Sequence, residues 1–198
     1  MINIIQKNQS KPYKLFNTFY EEACKKSQKG INVISISSYN IKENEVNSRY
    51  VNLKYIDNDK WTFFTNYNSN KAKDFKSHDQ ISALMYWDTI NLQIRMKAKI
   101  VLSSNAFSDL HFQNRSIEKN ALAISSDQSK QIESYEAIIK KYNSQLIKPN
   151  NYIRPSYWGG YSFTPYEIEF WEGNEFRLNK RNLYKKDIDK WNHFILEP

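Results

Sequence analysis

Cysteine is almost absent from the sequence, since Cys24 is the only one among 198 residues. A single cysteine cannot form an intramolecular disulfide and cannot build a cysteine-based zinc site. Glycine occurs only four times, and there is no GxxxxGK[ST] loop, GxSxG elbow or HExxH motif. Phosphate binding by a glycine-rich loop is therefore not expected, and the usual catalytic signatures are missing. A reducing cytoplasm is the simplest setting for such a chain.

Histidines are few and long apolar runs are missing. His78, His111 and His193 lie far apart, and none has a histidine or cysteine neighbour at metal-ligand spacing, so no metal site is expected. No segment approaches the roughly 18 apolar residues of a membrane-spanning helix. The amino terminus also lacks a basic start followed by a long apolar run. We expect neither a membrane partner nor a targeting segment.

The composition is that of a globular, basic protein. Hydrophobic residues make up 40% of the chain and aromatic residues 15%, which is enough apolar surface for a core. The length fits one domain over residues 1–198, with a short tail over 1–11 and a first helix over about 12–29 that ends near Gly30. The formal net charge of +8 favours an anionic partner, although scattered lysines also fit a solvated basic surface.

Short runs rich in β-branched and aromatic residues follow from residue 31 and predict an antiparallel sheet or barrel. We expect polar helices after Ser69 and Ser104, the second ending at Asn114. We also expect a longer helix capped by Asp127, whose apolar stripe faces the core. The stripe consists of Ile132, Tyr135, Ile138, Ile139 and Tyr142. The predicted strands are INVISIS, RYVNLKYI, KWTFFTN, ISALMYW, NLQIRMKAKIVLS, YWGGYSFTP, EIEFWEG, NEFRLNK and KWNHFILEP.

Without a glycine-rich loop, side chains must bind any anion, and several basic groups are candidates. Arg49 and Lys54 lie in one strand, where alternation places them on opposite faces unless a bulge or the strand end intervenes. A further set surrounds a helix start, where phosphate binding and plain capping by a serine are equally open readings. This set is Thr65, Ser69 and Lys71. A third set of basic residues is spaced at i, i+4 and i+8. On one continuous helix these residues would form a cationic stripe that binds an anion, or a face that is simply solvated. The row is His111, Arg115 and Lys119.

An ordered set of fragments resembles the pyridoxamine 5′-phosphate oxidase family over roughly residues 12–198. The fragments are RYVNLK, FFTNYNSNK, a strand with Gln93, DQS at 127–129, WGGY at 158–161, IEFWEG at 168–173 and RLNKR at 177–181. The resemblance implies a mainly β fold with flanking helices (α+β), namely an antiparallel FMN-binding split β-barrel of Greek-key type. It also implies a homodimer with FMN at the subunit interface.

The resemblance also implies roles for individual residues. The implied FMN contacts are Arg49, Tyr50, Val51, Lys54, Phe64, Thr65, Ser69, Asn70, Lys71, Gln93, Gln128, Ser129, Trp171 and Arg181. The implied contacts to a substrate phosphate are Lys54, His111, Arg115 and Lys119. The implied catalytic positions, which hold the substrate ring, are Arg177 and Asn179.

Several residues depart from the family pattern. Asn179 and Lys180 stand where the family typically has histidine and aspartate, and Asn70 replaces an arginine. His111 and Lys119 replace a tyrosine and a serine. The amino-terminal segment that helps to cover the substrate in the oxidases is expected to be short here. Asn179 cannot titrate near neutral pH, so any charged contact of the family histidine is lost.

The function implied by the resemblance is an FMN-dependent oxidase. It would act on a small phosphorylated substrate, pyridoxamine or pyridoxine 5′-phosphate, and form pyridoxal 5′-phosphate by hydride transfer to the flavin and reoxidation by oxygen. The substitutions leave two alternatives open: a related FMN-dependent oxidoreductase with a different anionic substrate, or a non-catalytic protein that binds FMN or pyridoxal phosphate. A specific nucleic-acid partner is not expected, because no RNA-binding aromatic signature is present.

Overall fold

The computed structural model describes residues 1–198, which form ten strands and five α-helices. The strands are β1 (Asn3–Lys7), β2 (Val33–Asn40), β3 (Glu45–Asn52), β4 (Tyr55–Asn58), β5 (Lys60–Asn66), β6 (Gln80–Trp87), β7 (Leu92–Leu102), β8 (Trp158–Glu172), β9 (Lys180–Asp187) and β10 (Lys190–Leu196). The helices are α1 (Lys11–Lys25), α2 (Asn70–Ser77), α3 (Asn105–Gln113), α4 (Ile117–Ser125) and α5 (Tyr135–Leu146).

The strands form one open sheet in the order β1-β4-β5-β8-β7-β6-β2-β3. Strand β8 also pairs with β9, which pairs with β10. Every pair is antiparallel except β1 with β4, which is parallel. The 15-residue β8 pairs with β5 through its first half and with β9 through its second, so it joins the two parts of the sheet.

A cluster of 28 buried residues forms the core. Strand β6 alternates exposed and buried residues along its whole length, so one face packs inward. Helix α1 covers this face with Phe16, whose ring lies 4.6 Å from that of Trp61 and 5.7 Å from that of Trp87. Each of these rings is fully buried and contributes roughly 2–3 kcal/mol of burial energy. No helix of the structure has the length and apolar character needed to cross a membrane.

The amino-terminal prediction needs two corrections. The predicted tail contains β1, held by its pairing with β4 and by a hydrogen bond from the Ile2 amide to the Tyr20 hydroxyl (2.9 Å). The first helix ends at Lys25 rather than near Gly30. Ser27 adopts the left-handed conformation (φ 56°), and the amides of Ser27 and Gln28 donate to helix carbonyls in a Schellman arrangement. A serine thus takes the position that glycine usually occupies.

Of the later helix predictions, the capping of α3 is confirmed, whereas the cap and the core placement of α5 are wrong. Ser104 caps α3 as predicted, accepting from the Phe107 amide (3.2 Å). The helix does not continue through Arg115 and Lys119, because extended backbone at Ser116 starts the unpredicted helix α4. Asp127 does not cap α5; Ser134 does, by accepting from the Ala137 amide (3.2 Å). The apolar stripe of α5 is not core, since no residue of this helix is buried.

Strand boundaries differ at three places. The run RYVNLKYI divides into β3 and β4 on either side of Leu53 and Lys54. The two runs around Pro165 form the single strand β8, because a register shift opposite Lys97 and Ala98 accommodates the proline. The run NEFRLNK is a turn region up to residue 179 rather than a strand, with Arg177 at φ 60°.

Candidate functional site

A cavity of about 680 Å³ opens where β5 and the start of β8 meet α3 and α4. It brings together sequence-distant residues that were predicted to bind cofactor or substrate: Tyr50, Val51, Lys54, Phe64, Thr65, Lys71, His111, Arg115, Lys119 and Gln128. Four of its lining residues are lysine or arginine, and none is aspartate or glutamate. The cavity is therefore strongly cationic, which suits an anionic ligand.

One cationic group is centred on Lys71, which is 8% exposed. Its ammonium donates to the hydroxyls of Thr65 (3.1 Å) and Ser69 (3.2 Å), and Thr65 donates to the Gln128 amide oxygen (3.2 Å). We call these four residues the Lys71 cluster. Burial and the nearby positive charge of Arg49 lower the pKa of Lys71 to about 8. No carboxylate pairs with Lys71, and one of its three N–H donors remains available.

Ser69 occupies the position just before α2, but its hydroxyl does not cap the helix. It donates instead to the Asn66 carbonyl (2.7 Å) while accepting from Lys71. Plain capping, one of the two readings open from the sequence, is therefore not what this side chain does. The hydroxyl helps to hold the Lys71 ammonium at the cavity wall.

A second cationic group consists of Lys54, Arg115 and Lys119, which we call the Lys54 cluster. Burial, and then the charges of Lys119 and Arg115, lower the pKa of Lys54. Burial lowers the pKa of Arg115 to about 10, so the guanidinium remains protonated at neutral pH. None of the three is in an ion pair with a carboxylate. Neighbouring positive charges without a compensating carboxylate favour the binding of an anion between them.

Aromatic rings hold the guanidinium of Arg115. Its Cζ lies 4.4 Å from the ring centroid of Trp158, and its Nη2 donates to the Lys119 carbonyl (3.1 Å). Its Nη1 is buried and has no hydrogen-bond partner in the protein. An unpaired buried donor costs about 1–3 kcal/mol.

His111 forms one wall of the cavity through a stack of rings. Its imidazole lies 3.7 Å from the ring of Phe64 with the planes at 13°, and Phe64 stacks in turn on Trp158 at 5.4 Å. Burial, and then the charges of Arg115 and Lys54, lower the pKa of His111 to about 4. The ring is therefore neutral at physiological pH, which distinguishes it from the cations around it.

The two glycines of WGGY allow this packing. Gly160 lies opposite Phe64 in the β5–β8 pairing. A Cβ at Gly160 would lie 2.7 Å from Ser103 Oγ and 3.2 Å from Phe64 Cε1, and a Cβ at Gly159 would overlap the Tyr67 hydroxyl. Both positions require glycine because neighbouring side chains approach the backbone closely.

Arg49 and Lys54 do not converge on one point. Arg49 donates to the Ser38 hydroxyl (2.7 Å) and lies 3.8 Å from the buried Asp74 carboxylate, away from the cavity lining. Lys54 follows the end of β3 and lines the cavity with Tyr50 and Val51. The two side chains thus lie on different sides of the chain, as the alternation of the strand predicts.

Three predicted flavin contacts form a separate row across neighbouring strands. Gln93 pairs with Trp171, and Trp171 pairs with Arg181. The row lies outside the cavity lining. Buried Glu169 anchors it, since this carboxylate accepts from Arg181 Nε (2.7 Å) and lies 3.5 Å from Arg95, which donates to Gln93 (2.6 Å). A single chain therefore contains two parts of the predicted site.

The remaining predicted residues also lie outside the cavity. Arg177 is exposed in the turn before β9, and the Asn179 side chain accepts from the Asn174 amide (3.1 Å) in the same turn. Asn70 is exposed at the start of α2. Ser129 has φ 73° and lines a smaller neighbouring cavity.

The structure also adds lining residues that were not predicted: Asn52, Asn114, Ser116 and Trp158. Two signals in the sequence point to members of this set. Strand alternation groups Asn52 with Tyr50, and Trp158 begins the WGGY motif. No pattern points to Asn114 or Ser116, which lie in the turn between α3 and α4.

The arrangement fits two phosphate groups bound by side chains. The two clusters are built on different segments, since the Lys71 cluster joins the end of β5 to the start of α2, whereas the Lys54 cluster joins the residue pair after β3 to the turn between α3 and α4 and to α4 itself. Each has cations without carboxylates and unused N–H donors. The flat stack of His111, Phe64 and Trp158 lies in the same cavity. A planar ligand with a phosphate suits such a wall.

Comparison with known proteins identifies relatives of the whole chain. Residues 20–144 match a family model described as pyridoxamine 5′-phosphate oxidase. Residues 158–198 match a model described as the pyridoxine 5′-phosphate oxidase C-terminal dimerisation region. The pyridoxine/pyridoxamine 5′-phosphate oxidase of Rippkaea orientalis is 32% identical over 190 residues, covering 94% of this chain and 89% of that protein. That of Haemophilus influenzae is 35% identical over 153 residues, covering 77% and 73%.

Solved structures agree on the fold. PhzG from Burkholderia lata 383, in complex with tetrahydrophenazine-1-carboxylic acid, superposes with a TM-score of 0.88 at 24% identity, covering 96% of this chain and 93% of that chain. A pyridoxamine 5′-phosphate oxidase-related, FMN binding protein from Nostoc punctiforme gives 0.80 at 13% identity, covering 96% and 99%. The predicted split-barrel fold is confirmed. From the family model over residues 20–144 and the identity to its curated relatives, this chain belongs to the pyridoxamine 5′-phosphate oxidase family.

Proposed function

We propose that this chain is an FMN-dependent oxidase that converts pyridoxamine or pyridoxine 5′-phosphate into pyridoxal 5′-phosphate. The observation that carries the proposal is the acid-free cavity with two cationic clusters built on different segments, one for the phosphate of the cofactor and one for that of the substrate. Bound FMN would supply the acceptor for a hydride from C4′ of the substrate, and oxygen would then take up the two electrons and two protons as hydrogen peroxide. The alcohol would give the aldehyde directly, whereas the imine formed from the amine would be hydrolysed by water with release of ammonia. The residues of the chain supply binding, orientation and charge.

The Lys71 cluster is the proposed site of the FMN phosphate. Lys71 is held by two hydroxyls and retains a free donor, so a phosphate oxygen completes its hydrogen bonding. Arg49 contributes positive charge from behind this cluster. An incoming dianion would offset the burial and the repulsion by Arg49 that together lower the pKa of Lys71, and this makes binding favourable.

The Lys54 cluster is the proposed site of the substrate phosphate. Arg115 lines the cavity with its guanidinium plane held against Trp158. Planar guanidinium groups bind phosphate through paired N–H donors, and the two lysines add point charge. Asn114 and Ser116 lie beside this cluster and add neutral hydrogen-bonding groups.

We further propose that a homodimer completes the site, with FMN at the interface. The row of Gln93, Trp171 and Arg181 lies outside the cavity of its own chain, and it belongs to the part that matches a dimerisation region, apart from Gln93. A partner subunit would bring this row, together with its Arg177 and Asn179, to the cavity of the first subunit. Arg177 would then hold the substrate ring in position.

Oxygen consumption by the purified, FMN-loaded protein tests the reaction. We expect turnover with pyridoxamine 5′-phosphate and pyridoxine 5′-phosphate and almost none with the unphosphorylated compounds, because the Lys54 cluster contributes binding energy only to an anion. The control is the same assay after FMN removal. Failure of the protein to bind FMN at all would refute the oxidase proposal.

A second candidate is an FMN-dependent oxidoreductase with a different anionic heterocycle. The observation in its favour is Asn179, whose side chain accepts from the Asn174 amide and does not titrate at neutral pH. Turnover with a heterocyclic carboxylate but not with either phosphate ester would favour this candidate. Tight binding of pyridoxal 5′-phosphate and FMN without oxygen consumption would favour a binding protein.

The titration of Lys71 predicts how FMN affinity depends on pH. Because the pKa of Lys71 is lowered to about 8, the ammonium is charged below that pH and loses its charge above it. The FMN phosphate is a dianion above pH about 6. The dissociation constant is therefore expected to be lowest between about pH 6 and 8 and to rise above pH 8, by up to about tenfold per unit. Quenching of FMN fluorescence measures it.

Two variants serve as controls for this pH dependence. The arginine of Lys71→Arg keeps its charge over the whole pH range, so the dissociation constant for FMN should no longer rise above pH 8. Lys71→Met should bind FMN weakly at every pH, and its dissociation constant should not rise above pH 8. An unchanged dissociation constant from pH 7 to 9 in the unmodified protein would show that Lys71 does not contact the phosphate.

A further inference from the structure

Tyr55 makes a contact at the cavity that the family resemblance does not assign. Its hydroxyl oxygen lies 2.8 Å from Nδ1 of His111, and the two rings meet edge to face at 5.3 Å. Tyr55 is the first residue of β4, and its ring also packs against Phe107 (5.1 Å) and Phe64 (6.1 Å). The tyrosine is therefore held in place on three sides.

The hydrogen-bond inventory decides which atom carries the proton. The Tyr55 hydroxyl has no other partner in the protein, so Nδ1 of His111 is the one acceptor for its proton. Burial raises the pKa of Tyr55, so the phenol remains protonated and able to donate. If Nδ1–H donated to the tyrosine instead, the phenol proton would have no acceptor within the protein. Donation by Tyr55 satisfies both groups and leaves the single proton of the neutral imidazole on Nε2.

Nε2 of His111 is free to contact a ligand. It makes no hydrogen bond in the protein, and it is not among the buried atoms that lack a partner. His111 lines the cavity beside Lys54 and Arg115, whose charges both act on its ring. The stack on Phe64 restricts the tilt of the imidazole. A directed N–H donor therefore stands next to the cationic cluster.

We propose that Tyr55 is a positioning residue that fixes the Nε2–H tautomer of His111, so that His111 donates a hydrogen bond to a phosphate oxygen held by the Lys54 cluster. The assignment of a phosphate ester rests on the proposed function. A neutral imidazole with Nε2–H donates at this position and cannot accept, unlike a hydroxyl. This end of the cavity is therefore selective for ligand groups that accept, as a phosphate does.

Nitrogen-15 NMR of the histidine side chains tests the tautomer directly. In the FMN-loaded protein without substrate, we expect His111 to show Nε2–H and an unprotonated Nδ1, assigned by comparison with His111→Phe. Inorganic phosphate should shift the His111 signals. Tyr55→Phe removes one hydroxyl and keeps the ring contacts, and it should convert His111 into a mixture of tautomers. The matched control is Tyr39→Phe. It removes a hydroxyl on β2 that donates to the Asn44 side chain, and it should leave the His111 signals unchanged.

Binding measurements test the consequence. Pyridoxal 5′-phosphate binding, measured by calorimetry, should weaken about fivefold in Tyr55→Phe, as expected for loss of one oriented hydrogen bond. In the His111→Phe background the same substitution should have no effect, because the histidine through which Tyr55 acts is gone. FMN affinity should be equal in all variants, since the Lys71 cluster is untouched.

Three results would overturn the inference: a dominant Nδ1–H tautomer in the unmodified protein, an unchanged tautomer in Tyr55→Phe, or equal loss of binding on Tyr55→Phe substitution with and without His111. The NMR outcome does not depend on turnover. A protein that does not oxidise the phosphate esters, yet shows Nε2–H and shifts with inorganic phosphate, would refute the proposed reaction and retain this inference. An active oxidase in which His111 carries its proton on Nδ1 would support the proposed reaction and refute this inference.

Discussion

A dimer built from two inactive variants, one chain with Lys71→Ala and the other with Arg181→Ala, is expected to regain about half of the wild-type turnover. The reason is geometric. Lys71 lines the cavity, whereas Arg181 lies in the separate row with Trp171 and Gln93. If each site combines a cavity of one subunit with the row of the other, this hybrid contains one site with both residues intact. Each parent homodimer should be nearly inactive.

The measurement uses two affinity tags to isolate the hybrid, followed by oxygen consumption and FMN content per dimer. The decisive control pairs a wild-type chain with a chain that carries both substitutions. In a composite site, each cavity of this dimer lacks either Lys71 or Arg181, so it should be inactive. Half of the wild-type turnover in this control, together with no recovery in the first hybrid, would show that each site lies within one subunit.

Arg115→Ala is expected to lower kcat/KM for the phosphorylated substrates by on the order of 100-fold or more. Arg115 is the buried cation of the Lys54 cluster, its guanidinium is held against Trp158, and its Nη1 has no protein partner. Its removal takes away the planar donor and leaves Lys54 and Lys119, which are point charges. FMN content should not change, because the Lys71 cluster is separate.

Steady-state kinetics and flavin absorbance measure these two quantities on the same sample. Arg115→Lys keeps the charge without the planar donor, so its kcat/KM should lie between that of the wild type and that of the alanine variant. Lys148→Ala, outside the cavity, controls for the loss of positive charge in general. Loss of FMN in proportion to the loss of turnover in Arg115→Ala would contradict the assignment of separate clusters to cofactor and substrate.

Local patterns predicted most strands correctly. Strand β5 has the predicted bounds, and β6 and β7 differ by one residue at each affected end, because their β-branched and aromatic runs are bounded by turn residues. The same reasoning placed Thr65, Ser69 and Lys71 around one strand end and helix start, and the structure brings them together. Neighbours that are close in sequence and joined by one turn can be placed from the sequence.

The cationic row meets at one cavity, but not by the arrangement that its spacing suggested. His111, Arg115 and Lys119 line one cavity, but they do not lie on one helix, because the chain bends at Ser116 between α3 and α4. Spacing alone cannot distinguish a continuous helix from two helices joined by a tight turn. The parallel strand β1 gave no signal either, since its pairing with β4 depends on contacts about 50 residues away along the chain.

The sequence by itself determined the β-rich class of the chain, the absence of an intramolecular disulfide, the identity of most cavity cations and, through ordered motifs, its family. Only the tertiary structure decided how the charges group. It joined Lys54 to Arg115 and Lys119 at one cavity and placed Tyr55 against His111. The physical reason is that strand periodicity determines which face a side chain occupies, whereas strand ends, turns and sheet order determine which distant side chains meet.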